Sequence, residues 1–136
     1  SKLGAKSIID AIRIIENGEA KFQEQNHSET TYAKKISKAE SQIKWNETAK
    51  KILAKINGLN PNPGAWFEYK NQRYKVWKAK IVNQHGDFGK ILDGKLTIAC
   101  KNQAIQILEI QKEGKSRQAT EEFLLGNKIK EGERIY

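Results

Sequence analysis

The sequence is poor in the residues that build disulfides, metal sites and thiol chemistry. Its 136 residues include one cysteine, two histidines, two prolines and no methionine. A single cysteine cannot form an internal disulfide, and with only two distant histidines it argues against a zinc site. Cys100 lies in the apolar run LTIAC, which indicates a small buried side chain. Because methionine is absent, we expect the chain to begin inside a longer protein or to have been processed.

Long apolar runs and catalytic motifs are absent as well. No run is long enough to cross a bilayer and no signal-peptide pattern appears, so we expect no membrane association. The single cysteine fits a reducing compartment, and we expect a cytoplasmic location. The sequence has no glycine-rich phosphate loop, no Ser-His-Asp or Cys-His arrangement and no paired carboxylates in apolar surroundings. Glu121 and Glu122 lie on a short predicted helix, where a solvated face explains them. By elimination, the chain is predicted to be a binding module.

Positive charge is what the sequence has in excess. It contains 25 lysines and arginines against 16 acidic residues, a net charge of +9. Residues 1–30 carry a net −1, so the remainder carries +10. A cationic domain attracts polyanions, and nucleic acid is favoured over a membrane because no basic amphipathic helix with a bulky aromatic face is present. Charge alone leaves a merely lysine-rich soluble protein as an almost equal alternative.

The chain divides by pattern into three parts. Apolar residues at helical spacing predict a helix over residues 7–17 that ends at Gly18. The apolar stripe of this helix is wide and needs a large surface to pack on. We therefore assign residues 1–18 to the last helix of a preceding domain. Residues 19–30 are polar and without periodicity, which is typical of a linker. Residues 31–136 form the remaining domain.

Short strands dominate that domain. Ala65–Tyr69 and Arg73–Val82 flank the turn Lys70-Asn71-Gln72 and predict a hairpin. Further elements are expected as a helix capped by Asn46 and ended by Gly58, strands over 90–92, 96–100, 105–110 and 132–136, and a helix over 119–125. Five or six short strands with flanking helices favour a mainly β fold, an OB-like small β-barrel preceded by the linker and the N-terminal helix.

The tryptophans and lysines are the candidate binding residues. Trp45 and Trp77 are expected in the core and Trp66 at a domain seam, with base stacking as the alternative. In the second hairpin strand, strict alternation places Lys75 on the face of Trp77, and Lys78 and Lys80 on the other. Lysines on the strands and in the loops before and after them favour one positive surface that meets phosphates without reading sequence, against the alternative of scattered solvated side chains. The candidate residues are Lys34, Lys35, Lys38, Lys75, Lys78, Lys80, Lys112, Lys115 and Arg117.

Three segments of the chain closely resemble the C-terminal domain of the methionyl-tRNA formyltransferase family. They are TYAKKISKAESQIKW, INGLNPNPGAWFEYKNQRYKVWKA and GKILDGKLTIACKNQAIQILEIQKEGKSRQATEEFLLGN. The polar stretch before Thr31 is similar to the interdomain linker of that family, and Leu3 to Gly18 is similar to the last helix of its catalytic domain. Two positions depart from the family pattern. Asn62 stands where a tryptophan is usual between the prolines, and Asn57-Gly58 stand where Arg-Ala is common.

The resemblance implies an enzyme that transfers a formyl group from 10-formyltetrahydrofolate to methionyl initiator tRNA. It implies that folate binding and the catalytic Asn, His and Asp belong to an N-terminal Rossmann-like domain, whose motifs do not occur here. The chain itself would then hold no cofactor or metal, would be inactive alone, and would bind and position tRNA beside its catalytic domain, as a monomer.

Two other interpretations remain open. Related formyltransferases that act on nucleotide sugars, or that are fused to folate dehydrogenases, resemble this chain in having a similar barrel, which shapes an active-site cleft and binds no RNA. A free-standing RNA-binding barrel from a split gene is the other. The positive charge and the TYAKKIS stretch favour the tRNA enzyme.

Overall fold

The protein forms two units, Ser1–Lys34 and Lys35–Tyr136, and the structure, a computed structural model, describes residues 1–136. The first unit contains helix α1, Lys2–Glu16, and a 3-10 turn at His27–Glu29. Gly18 takes a left-handed φ of 73°, and the amides of Gly18 and Glu19 donate to the last-turn carbonyls of α1.

The apolar stripe of α1 is exposed. No residue of this helix is buried, and Leu3, Ile8, Ile9, Ile12 and Ile15 are each about half exposed or more. A stripe of this kind normally packs against another surface. Neither α1 nor any other helix has the length and apolar character needed to span a membrane.

The second unit opens with a capped turn and helix α2, Ala49–Leu59. Ser37 and Glu40 form a reciprocal capping box, because the Ser37 amide donates to Glu40 Oε2 at 2.6 Å and the Glu40 amide donates to Ser37 Oγ at 3.3 Å. Helix α2 is capped by Thr48, whose Oγ1 accepts from the Lys51 amide at 3.4 Å. The prediction of Asn46 as the cap was therefore wrong by two residues.

The predicted hairpin is confirmed, with a tighter turn than expected. Strands β1, Ala65–Tyr69, and β2, Gln72–Val82, are joined by Lys70 and Asn71 alone. Both turn residues have positive φ, 50° and 59°, as a two-residue turn that matches the twist of the strands requires.

The remaining strands complete an antiparallel sheet. They are β3, Thr97–Ala99, β4, Ala104–Lys112, and β5, Gln118–Ala119, in the order β1-β2-β4-β3 with β5 also paired to β4. Helix α3, Thr120–Gly126, follows directly. The second unit is thus a mainly β, curved half-barrel with two helices.

Isolated bridges extend both edges of the sheet. Gln42 pairs with Trp66 beyond β1, and Ile91 pairs with Ile98 beyond β3. The strands predicted over 90–92 and 132–136 were wrong as regular strands, because they contribute only single bridges, such as that between Lys90 and Arg134.

The core lies between the inner face of the sheet and the two helices. Ile52 and Ile56 of α2 are fully buried with Phe67 of β1. Trp45 packs edge-on against Phe67 at a centroid distance of 5.7 Å, which confirms its predicted core position. Phe123 of α3 is also part of this cluster. Because α2 packs on the inner face, the other face of the sheet, here called the outer face, carries the remaining strand side chains.

Tyr69, Lys70 and Glu133 tie the C-terminal segment to the end of the hairpin. The Tyr69 hydroxyl donates to the Glu133 carboxylate, and Lys70 Nζ lies 2.9 Å from Glu133 Oε2. These hydrogen bonds hold the pKa of Glu133 below its ordinary value, and the one from Tyr69 has the largest effect.

Glu133 is expected to make stability depend on pH in the acid range. A carboxylate with a lowered folded-state pKa contributes stability above its unfolded pKa of 4.5, and that contribution is lost as the pH falls through the folded value. Glu133→Gln should therefore lower the urea midpoint at neutral pH, and the gap to the wild type should close as the pH falls below about 4. Urea titrations of both proteins across this range measure the gap. A gap of constant size would contradict the role given to Glu133.

Candidate nucleic-acid interface

An irregularity in β2 brings three lysines to the outer face. The register with β4 shifts between Val76 and Lys78 and again between Lys78 and Ala79. Val76 and Ala79 both point toward the core, although they are three residues apart. The two residues between them, Trp77 and Lys78, therefore both point outward at the bulge. The strict alternation that separated Lys75 from Lys78 and Lys80 was wrong, because the bulge puts all three on the outer face.

Trp77 lies at the centre of this face and not in the core as predicted. It is half-buried, and its Nε1 donates to Gln111 Oε1 at 2.9 Å. Lys75 Nζ lies 5.1 Å from the centroid of its ring, and Arg117 Cζ lies 5.0 Å from it. The indole therefore fixes two cations by cation–π contact and orders this part of the surface.

Three carboxylates interrupt the positive charge of the outer face, and one of them, Glu68, is exposed on β1 opposite Arg73. Glu109 forms an ion pair with Arg117 and stands opposite Lys78 in the strand register. Glu113 follows the end of β4 and is exposed. Arg117 therefore brings a compensating charge with it, whereas Lys75, Lys78 and Lys80 form no ion pair.

Two further candidates lie at the end of β4 and in the loop after it. Lys112 is the last residue of β4 and stands opposite the buried Tyr74, so its side chain leaves the strand on the inner side of the sheet and not on the outer face. The Lys115 amide donates to the Lys112 carbonyl at 3.0 Å, and Gln111 Nε2 donates to the Lys115 carbonyl at 2.8 Å. We call the set Lys75, Lys78, Lys80 and Lys115 the cationic face, and Lys112 is not part of it.

A second cation–aromatic pair borders this face. Arg73 Cζ lies 4.1 Å from the ring centroid of Trp66, whose Nε1 donates to the Lys38 carbonyl at 3.2 Å. A cavity of about 340 Å³ lies beside the pair. We call it the Trp66 cleft, and its lining includes Lys38, Asn62, Trp66, Arg73, Lys75 and Glu113.

Sequence reasoning missed Arg73, although the hairpin register carries the signal. Trp66 pairs with Lys75 and Glu68 pairs with Arg73, so Arg73 is the diagonal neighbour of Trp66 on the outer face. Of the nine predicted residues, Lys38 and Lys75 meet at the cleft. Lys35 is exposed at the start of the second unit, and Lys34 belongs to the first unit.

The cysteine and the two neighbouring glutamates considered from the sequence are inert or solvated. Cys100 is buried, as predicted, and burial raises the pKa of its thiol to about 12, so it stays protonated at neutral pH. Glu121 and Glu122 are exposed in the first turn of α3. The arrangement that remains is a surface suited to holding a polyanion.

Comparison with protein families gives a match over most of the second unit. Residues 35–128 match the model described as formyl transferase, C-terminal domain. The match begins at the first residue of the second unit and extends past α3.

Curated relatives match along the whole chain. The chain is 45% identical over 136 residues to methionyl-tRNA formyltransferase from Pelagibacter ubique, covering 99% of the chain and 44% of the relative. It is 40% identical over 136 residues to the enzyme of the same name from Bradyrhizobium diazoefficiens, covering 97% and 44%. The chain thus spans less than half the length of the curated relatives it matches.

Solved structures agree on the fold. HypX from Aquifex aeolicus in complex with tetrahydrofolic acid superimposes with a TM-score of 0.66 at 18% identity, covering 88% of this chain and 22% of that one. A multiply substituted HypX variant gives a TM-score of 0.67 at 20% identity, covering 90% and 24%. The family match and the relatives together identify the chain as a member of the formyl transferase C-terminal domain family.

Proposed function

We propose that this chain is the tRNA-binding C-terminal part of a methionyl-tRNA formyltransferase. The whole enzyme would transfer a formyl group from 10-formyltetrahydrofolate to methionyl initiator tRNA in the cytoplasm. In this proposal the chain binds and positions the tRNA, holds no cofactor or metal, and works as a monomer joined to an N-terminal catalytic domain. The names and identities of the curated relatives support the enzyme assignment.

The proposal includes a division of the chain. Residues 1–18 are the last helix of the catalytic domain, residues 19–30 are the interdomain linker, and residues 31–136 are an OB-like tRNA-binding domain. The exposed isoleucines of α1 support the first assignment, because an apolar stripe of this size is explained by a missing packing partner. The curved antiparallel sheet of short strands supports the third.

The observation that carries the RNA-binding proposal is the cationic face. Lys75, Lys78 and Lys80 project from one strand to one side of the sheet and form no ion pair. The charge balance of the chain agrees, since the first 34 residues hold five basic and five acidic groups and the rest hold 20 and 11. Lysines of this kind attract a phosphate backbone without reading base sequence.

The contribution to catalysis would be positioning. Contacts far from the reacting atoms hold the acceptor end of the tRNA where the catalytic domain needs it, and this converts binding energy into a higher rate. The alternative is the barrel of a formyltransferase of the nucleotide-sugar or folate-dehydrogenase type, which shapes a cleft and binds no RNA. The two proposals differ in whether the cationic face meets a polyanion.

A salt titration of tRNA binding tests this proposal. Each phosphate neutralised by a lysine lowers log K by about 0.7 to 0.9 per tenfold increase in salt, so five lysines, the four of the cationic face and Lys38, predict a slope of roughly −3.5 to −4.5. Affinity for tRNA should therefore fall roughly 10²- to 10³-fold between about 50 and 200 mM salt. Fluorescence anisotropy of labelled initiator tRNA measures the slope. No binding at the lowest salt, or a slope near zero, would favour the alternative.

A further inference from the structure

The Trp66–Arg73 pair presents a flat, charged surface to solvent. Trp66 is fixed in β1 between the buried residues Ala65 and Phe67, and its indole N–H is held by the Lys38 carbonyl. The guanidinium of Arg73 lies over that ring at 4.1 Å and takes part in none of the ion pairs of the protein. Arg73 is exposed. One side of its guanidinium group therefore contacts the Trp66 ring, while the other side and the N–H donors remain free.

The cleft beside this pair combines groups of different chemistry. Its volume of about 340 Å³ falls at the lower end of the range for small-ligand sites. Lys38 and Lys75 line it as cations, Asn62 lines it as an amide that both donates and accepts, and Glu113 lines it as an acceptor. A carboxylate in the wall disfavours a bare anion, whereas a ligand with a phosphate, a flat ring and amino groups matches the whole set.

Lys75 is held over the cleft by the local backbone. Gly64 has a φ of +80°, and a Cβ at this position would lie 2.7 Å from Lys75 Cδ. The lysine stem therefore passes directly across the glycine, and its ammonium group reaches both the cleft and the Trp77 ring.

We propose that the Trp66 cleft binds one unpaired nucleotide of an RNA. The base stacks on the exposed plane of Arg73, Lys38 and Lys75 contact the adjoining phosphates, and Asn62 and Glu113 contact the edge of the base. An unpaired base is required because the faces of a paired base are already stacked inside the helix. This inference rests on the proposed RNA binding and adds a site that distinguishes single-stranded from double-stranded RNA.

Arg73→Lys tests the site, because it keeps the charge and removes the plane. The probes are a hairpin RNA with an adenosine loop and a blunt duplex with the same stem, titrated against the 136-residue chain at low salt. We expect Arg73→Lys to weaken hairpin binding roughly 10-fold, within the range of one lost base–side-chain stack, and to leave duplex binding within about 2-fold. Asn62→Ala, at an exposed position outside the strands, should weaken hairpin binding several-fold as well.

Arg134→Lys is the matched control. Arg134 also lies over an aromatic ring, that of Phe88 at 5.4 Å, but does not line the Trp66 cleft. Arg134→Lys should change the affinity for neither the hairpin nor the duplex. Unchanged urea midpoints for all variants exclude unfolding as the cause of weaker binding. If neither RNA binds the wild type, the proposed function itself fails. If both RNAs bind and Arg73→Lys weakens neither, or both equally, the unpaired-nucleotide site is wrong while the RNA-binding proposal stands.

Discussion

Replacing Lys75, Lys78 and Lys80 by glutamine is expected to weaken tRNA binding roughly 10²- to 10³-fold at about 50 mM salt and to reduce the salt slope by about 2 to 3. All three lysines lie on the outer face of β2 and none forms an ion pair. Each lost ammonium group removes one contact of the kind that releases a counterion from the RNA. Anisotropy titrations at several salt concentrations give both the affinity and the slope.

A matched triple variant separates the face from the total charge. Lys50, Lys51 and Lys101 are exposed around the first turn of α2, which packs on the inner side of the sheet. Their replacement by glutamine removes the same charge from another part of the surface. It should leave the affinity within a few-fold of the wild type. Equal losses in the two triple variants would mean that RNA responds only to net charge, and the cationic face would have no special role.

Gly89→Ala is expected to destabilise the second unit by about 3 kcal/mol or more. Gly89 has a φ of +81°, which costs a residue with a side chain about 1 to 3 kcal/mol. A Cβ at this position would also overlap the carbonyl oxygen of Ile135. Moving that carbonyl disrupts the hydrogen bonding between the segment at Gly89 and the C-terminal segment at Ile135. There the Ile135 amide donates to the Gly89 carbonyl at 2.8 Å, and the Gly89 amide donates to the Ala99 carbonyl at 2.8 Å.

Gly94→Ala provides the comparison for this variant. A Cβ on Gly94 would have no other atom within 4 Å, and the residue does not have a left-handed φ. Its replacement should change the free energy of unfolding by less than about 0.5 kcal/mol. Urea denaturation followed by tryptophan fluorescence measures both variants. Similar midpoints for the two would show that the contact at Gly89 does not hold the C-terminal segment.

The hairpin and the helix α2 follow from the sequence because local signals agree there. Alternating apolar residues, the turn at Lys70 and Asn71, and the prolines after Leu59 all point to the same elements. The length of the turn was less well determined. A three-residue turn would set Trp66 opposite Val76, whereas the two-residue turn sets it opposite Lys75. A slip of one residue exchanges the faces of a strand, so the Trp66–Arg73 pair could be found only from the correct register.

The bulge at Trp77 has no signal in the sequence around it. The residues from Tyr74 to Ile81 alternate without a glycine or proline to mark an irregularity. The bulge is accompanied by a compensating irregularity in β4 at Leu108, since Lys78 pairs with Glu109 while Ala79 pairs with Ile107. A feature that depends on two strands distant in sequence is set by tertiary packing, and it decided both the position of Trp77 and the composition of the outer face.

Lysine footprinting with and without tRNA tests the RNA-binding face most directly. Reactivity of each ammonium group toward an acylating reagent, read by mass spectrometry, reports which lysines the RNA covers. Binding through the cationic face predicts protection of Lys75, Lys78 and Lys80 by tRNA at low salt, with Lys50 and Lys51 unchanged and the protection lost at high salt. Protection of the α2 lysines with Lys75, Lys78 and Lys80 left reactive would contradict it.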